Sequence, residues 1–310
     1  MRKTCLDMVF ELAKTDPRVF FIGSDLGIGT LGKFREQIPE RFFMEGINEA
    51  NIIGLAAGLA LDGKIPYVNT IASFITRRCF EQVVLDICLH NLNVRLIGNG
   101  AGFVYAPLGP THEAIEDMAI MRAIPNMTIV APADADEMRR LMPQTLTWKG
   151  PIYIRLGKGY DPIVTREDIP FEIGGSIPMR DGEDALVLTT GITLGIALDA
   201  AEDLSKAGIQ TGILHMPTVK PLDVEAIVER ASRVPAIVTI EEHTLMGGLG
   251  SAVAEILAEA DFDSIKRVRR IGIPDAFPDQ YGSQNSLMER YQISRANLVK
   301  TVTGLLEGRK

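Results

Sequence analysis

The chain has 310 residues, enough for about two domains of ordinary size, and its 46% hydrophobic content can fill two cores. A formal net charge of -8, with an isoelectric point of about 5.2, argues against nucleic acid or an anionic membrane as the main partner. Cys5, Cys79 and Cys88 lie in apolar segments at spacings that match neither a zinc site nor a redox pair, so buried, reduced thiols in a cytoplasmic protein are expected.

Residues 4–14 read as an amphipathic helix that starts near Thr4. Its Asp7 and Glu11 also break any signal-like core after Arg2-Lys3, and no apolar run further on is long enough to cross a bilayer. Val19–Ile22 reads as a strand that opens into Gly23-Ser24-Asp25-Leu26-Gly27-Ile28-Gly29-Thr30. The glycine spacing fits no standard nucleotide motif, so a plain turn is expected. Arg41–Met44 reads as a strand end.

The stretch from Gly46 to Ala60 follows. Asn48 is a candidate helix cap, and Glu49 falls in the first turn, where the positive helix end favours a carboxylate. From Ile52 the helix is apolar all round and rich in Ala and Gly, a pattern expected of a buried, closely packed helix. A carboxyl in apolar surroundings needs a bonding partner. No basic residue lies near Glu49 in sequence, so a ligand or another chain is the expected source. A bare first-turn acid is the competing reading.

The spacing Gly-x-x-Glu-x-x-x-x-Gly-x-Ala-x-Gly-x-Ala over 46–60 resembles the pyrimidine-binding domain of thiamine-diphosphate enzymes of the transketolase type. The resemblance implies that Glu49 bonds the N1′ atom of the cofactor's aminopyrimidine and so activates the thiazolium C2. It also places Asp25 and Thr30 at the active-site mouth, Asp25 as a substrate contact.

Pro66–Ile71 reads as the next strand and Ser73–Asn91 as a long helix with Phe74, Arg77 and Arg78 in its first turns. Two arginines at a helix start oppose the dipole, so solvent or an anion should lie nearby. By itself Phe74 reads as a core residue at a strand–helix junction. The resemblance makes it the ring that stacks on the aminopyrimidine and puts Arg77 in the cofactor site. After a strand at Val94–Ile97 and the run Gly98-Asn99-Gly100-Ala101-Gly102, the segment Leu108-Gly109-Pro110-Thr111-His112-Glu113 leads toward a helix. Thr111 would cap that helix, and its dipole would favour a neutral His112. Gly-Pro-Thr-His is an active-site motif of transketolases and deoxyxylulose-phosphate synthases, which implies a catalytic and substrate-binding His112. The family usually carries Asp immediately before this motif. Leu108 stands there, which puts ordinary xylulose-5-phosphate specificity in doubt.

Residues 119–132 resemble the family closely and read as structural. Asp134 is a candidate cap for a helix to about Trp148, interrupted by Pro143. Pro151–Gly157 reads as a strand leading to Lys158, and the resemblance makes Arg155 and Lys158 the substrate-phosphate ligands, with ordinary surface charge as the alternative. Residues 160–182 gain Pro and Gly and read as a linker. A second strand–helix series then runs from Ala185 to Leu306. Glu241, Glu242 and His243 read as structural or interface residues.

The expected fold class is α/β: two three-layer α/β/α domains with mostly parallel sheets, a pyrimidine-binding domain over 1–165, a linker over 166–184 and a transketolase C-terminal domain over 185–310. No Gly-Asp-Gly…Asn segment for the diphosphate and its metal is present. The resemblance therefore implies the C-terminal, β-type subunit of a split transketolase. An N-terminal partner subunit would hold thiamine diphosphate through Mg2+ (or Ca2+), in an α2β2 assembly acting on sugar phosphates. The alternatives are a deoxyxylulose-phosphate-synthase-like enzyme, a 2-oxoacid dehydrogenase β-type subunit, or a non-catalytic scaffold.

Overall fold

The structure, a computed structural model, describes residues 1–24, 31–157, 159 and 161–307. The first sheet contains β1 (Val19–Gly23), β2 (Phe42–Met44), β3 (Ile65–Ile71), β4 (Arg95–Asn99), β5 (Thr128–Val130) and β6 (Ile152–Leu156). The second contains β7 (Ile177–Arg180), β8 (Ala185–Thr189) and β9 (Thr211–His215) and, after β10 (Thr218–Lys220), β11 (Ala236–Thr244) and β12 (Arg267–Ile273). The strand orders are β10-β5-β6-β4-β3-β1-β2 and β12-β11-β8-β9-β7. Pairing is parallel throughout, except for β10 on β5 and β7 on β9.

Both faces of each sheet are covered, which is why the central strands are buried along their length. On one face of the first sheet, Cys5, Leu6, Val9 and Phe10 of the helix Arg2–Thr15 join Phe21, Ile97 and Ile154. On the other, Ile52, Ile53 and Ala56 of the helix Glu49–Leu61 join Ile75, Val83 and Met118. The second domain has the same sandwich, with Leu194 and Leu298 on one side and Ile227 and Val253 on the other. The three cysteines are buried and free. Among the described residues no helix is long and apolar enough to cross a membrane.

Four features differ from the sequence reading. The Pro- and Gly-rich stretch carries a strand, β7, in an edge position where Pro178 removes no interior ladder bond. Strand β10 leaves the second half of the chain and closes the edge of the first sheet. The run 74–88 is not a regular helix: π turns at Phe74–Arg78 and Val83–Cys88 flank one α turn. The helix Glu49–Leu61 buries one face only. Gly54 and Gly58 are exposed, with open space beside each, because a glycine-rich apolar sequence does not itself say which face is covered.

Candidate functional site

The candidate residues gather at the C-terminal ends of β2, β3 and β4, the side of a parallel sheet where loops and helix N-termini converge. Glu49 opens its helix and is 1% exposed. Its Oε2 accepts a 2.8 Å bond from Arg78 Nη1, and its Oε1 lies a long 3.5 Å from the Thr70 hydroxyl. Thr70 in turn accepts from Ser24 Oγ at 2.9 Å. The partner of Glu49 thus comes from its own chain, contrary to the sequence expectation: the β3 crossover returns residue 78 to residue 49. Asn48 occupies the cap position, but its side chain makes no capping bond.

Phe74 follows β3 in the first π turn. The Arg78 guanidinium carbon lies 4.3 Å from the centre of its ring, and the His112 ring stands edge-on to it at 5.1 Å and 63°. The wide π turn lets residues 74 and 78 share one face. His112 sits in a loop rather than at a helix start. The next helix is Asp117–Arg122, so neither the Thr111 cap nor the dipole argument applies. Thr111 Oγ1 instead pairs with His112 Nδ1 at 2.9 Å, leaving Nε2 without a partner among the described residues.

Arg77 holds this loop. Its guanidinium chelates Glu116 and donates to the carbonyls of Pro110 (3.3 Å) and Glu113 (2.7 Å). The anion expected near the two arginines is therefore a pair of side chains, Glu116 for Arg77 and Glu49 for Arg78. The loop is also laced to the one after β4, where Gly102 N donates to Ala114 O at 2.8 Å and Ala114 N donates back at 3.2 Å. Gly102 has a φ of +62°, and an added Cβ would lie 2.4 Å from the Glu242 carboxyl carbon.

Arg155 does not face an open anion site. It is 7% exposed, forms a bidentate pair with Asp117 at 2.8 and 3.1 Å, and donates to Glu242 O at 2.9 Å. The expectation of a phosphate ligand fails here because the strand end is covered by the second domain. Lys158, Asp25 and Thr30 lie outside the described residues. Leu108 is 49% exposed, beside the Gly-Pro-Thr-His loop.

Two buried acids went unnoticed as candidates. Glu113 is fully buried, neither carboxylate oxygen meets a donor among the described residues, and burial pushes its pKa up to about 7 against the pull of Arg77. Glu242 accepts from Phe103 N (2.8 Å) and Gln284 Nε2 (3.0 Å), and burial pushes it to about 7 as well. Among the described residues no group of His, Cys, Asp and Glu could hold a metal ion. A groove of about 630 Å3 along Ala119, Arg122, Lys220 and Glu255 contains none of the Glu49 cluster.

A planar cationic donor on the Phe74 ring, bonded to Glu49, has the chemistry an aminopyrimidine would offer the same two groups. The residues present therefore fit that half of thiamine diphosphate.

The family described as transketolase, pyrimidine binding domain, matches residues 1–160, and transketolase, C-terminal domain, matches residues 175–298. A 6-deoxy-6-sulfo-D-fructose transketolase subunit of Clostridium sp. (strain MSTE9) is 37% identical over 99% of this chain and 94% of its own length. An apulose-4-phosphate transketolase subunit of Phocaeicola vulgatus is 35% identical over 97% of this chain and 95% of its own length. A solved structure described as a split gene transketolase, inactive beta4 tetramer, superposes with a TM-score of 0.90 at 38% identity. It covers 99% of this chain and 98% of its own.

Proposed function

The chain belongs to the transketolase family, and from that premise we propose that it is the β-type subunit of a split, thiamine-diphosphate-dependent transketolase that moves a two-carbon ketol unit between sugar phosphates. The observation that carries this reading is the cluster of a buried Glu49, the Phe74 ring and the His112 imidazole at the C-terminal ends of the first sheet's strands. The cofactor, when bound, supplies the nucleophilic carbon that accepts the ketol unit. Glu49 would hold a proton at N1′ of the aminopyrimidine, Phe74 would offer its face to that ring, and His112 would move protons at substrate oxygens through its unpartnered Nε2. Arg77 keeps the His112 loop in place through Glu116. Lys158 and Asp25 are the proposed substrate contacts; Arg155 is assigned to the Asp117 ion pair.

A partner chain would bring the diphosphate-binding domain with Mg2+ or Ca2+, in an α2β2 assembly in the cytoplasm. The relatives named as subunits support a split enzyme, and the neighbour described as an inactive β4 tetramer supports dependence on a partner. Those relatives differ in their named sugars, and Leu108 replaces the polar residue usual before Gly-Pro-Thr-His. Donor and acceptor are therefore to be set by product analysis with ketose phosphates, sulfosugars and pyruvate.

The test is Glu49→Gln in the complex that co-purifies with this chain. Turnover should fall at least ~100-fold, the scale of a lost proton-transfer group, with an unchanged far-ultraviolet dichroism spectrum. Near-wild-type turnover would sink the assignment.

A further inference from the structure

Arg77 and Arg78 are adjacent, yet their surroundings differ. Arg77 is tied down by a carboxylate and two carbonyls. Among the described residues Arg78 has one hydrogen-bonding partner, Glu49, and its side chain is 47% exposed while that of Glu49 is 1% exposed. Its guanidinium also lies over the face of Phe74, 4.3 Å from the ring centre. The guanidinium is planar, donates to Glu49 Oε2 and lies on Phe74. Those are the two contacts assigned above to the aminopyrimidine, and one ring face beside Glu49 cannot carry two planar groups together.

We propose that Arg78 is a displaceable internal ligand of the pyrimidine seat, which shields Glu49 and must swing outward before the cofactor ring can bind. The inference rests on the transketolase reading of the same site. Half-exposure makes the movement feasible, because the guanidinium exchanges a carboxylate for water and no backbone bond of the π turn involves its side chain. Arg78 thus lowers apparent cofactor affinity by the fraction of molecules in which it is seated.

The experiment measures thiamine diphosphate binding by titration calorimetry, in saturating Mg2+, on the wild-type complex and on the complexes carrying Arg78→Gln and Arg78→Ala. Both substitutions should tighten binding, by roughly 3- to 10-fold, the scale of one partly exposed ion pair with a cation–π contact. Glutamine keeps the length of the stem and alanine removes it, so agreement between them ties the effect to the guanidinium. Equal or weaker binding by both variants, with melting temperatures within a few degrees of wild type, would overturn the proposal and make Arg78 a support for Glu49. Absence of binding by the wild-type complex would instead remove the transketolase reading, and this inference with it.

Discussion

At the residue scale, the identity of a charge says less than what faces it. Arg155 sits where a phosphate ligand was expected, but its guanidinium neutralises Asp117 in a buried pair and braces Glu242 O. Burial works against the guanidinium charge, but Asp117 beside it more than offsets that cost; Asp117, against its own desolvation, is in turn held below the usual carboxylate range by Arg155 and His243. Arg155→Ala should therefore cost about 3–5 kcal/mol in a urea unfolding experiment, since it strands a buried carboxylate. A phosphate ligand would behave differently: a raised KM for the sugar phosphate with stability unchanged. Gly102 makes a similar point with a smaller group. At φ +62° and with a Cβ position 2.4 Å from the Glu242 carboxyl carbon, Gly102→Ala should lose about 1–3 kcal/mol by the same assay. Stability within about 0.5 kcal/mol of wild type would show that Glu242 moves freely there.

At the element scale, the parts legible in the sequence are those governed by local pattern. Asp134 caps its helix as its position suggested, accepting from the amides of Asp136 and Glu137. Strand β1 starts at Val19, as its apolar run indicated, and runs one residue further than that run, to Gly23. Glu241, read as structural, accepts from the amides of Leu249 and Gly250 at the start of the helix Leu249–Glu259. The missing parts depend on partners distant in sequence. Strand β10 is only three residues long and exists because β5 offers an edge; its own pattern carries no period. The π turns at 74–88 insert no recognisable residue type, yet they aim both Phe74 and Arg78 at the site. The Glu49 spacing and Gly-Pro-Thr-His were readable as motifs, whereas the bond from Arg78 to Glu49 spans 29 residues and leaves only an i, i+4 relation to Phe74 as a trace. A deletion that forces a regular helix should test whether the π turn matters. Deleting Cys79, which separates the first π turn from the following α turn, should abolish cofactor binding by rotating the Phe74 ring away from Glu49. Retained binding with a folded chain would show that the site does not need the bulge.

At the scale of the whole molecule, the two domains are joined by hydrogen bonds of backbone and side chains, one of them to the Glu242 carboxylate, whose pKa burial raises to about 7. Thr244 N donates to Ile115 O, Ala119 N to His243 Nε2, Phe103 N to the Glu242 carboxylate, and Ala131 N to Pro217 O. Together with β10 on β5, these bonds tie the second half of the chain to the loops that carry His112. Glu113 and Glu242 face each other across this junction, each raised from the ordinary 4.5 to about 7, with burial the first cause and their mutual repulsion adding to the shift of Glu113. A carboxyl whose folded pKa lies above its unfolded value binds more protons in the folded state between those values, so stability falls as pH rises from about 4.5 to 7 and levels off above. The aspartates held low, Asp117 and Asp134, act only below the ordinary carboxylate range and leave this window clear. Thermal melts should therefore show a transition temperature that declines from pH 5 to pH 7.5. Glu113→Gln should flatten that decline, melting higher than wild type at pH 8 and level with it at pH 5. A wild-type melting temperature that is constant across the window would mean that both acids are ionised and solvated, and that the junction is wetter than its packing indicates.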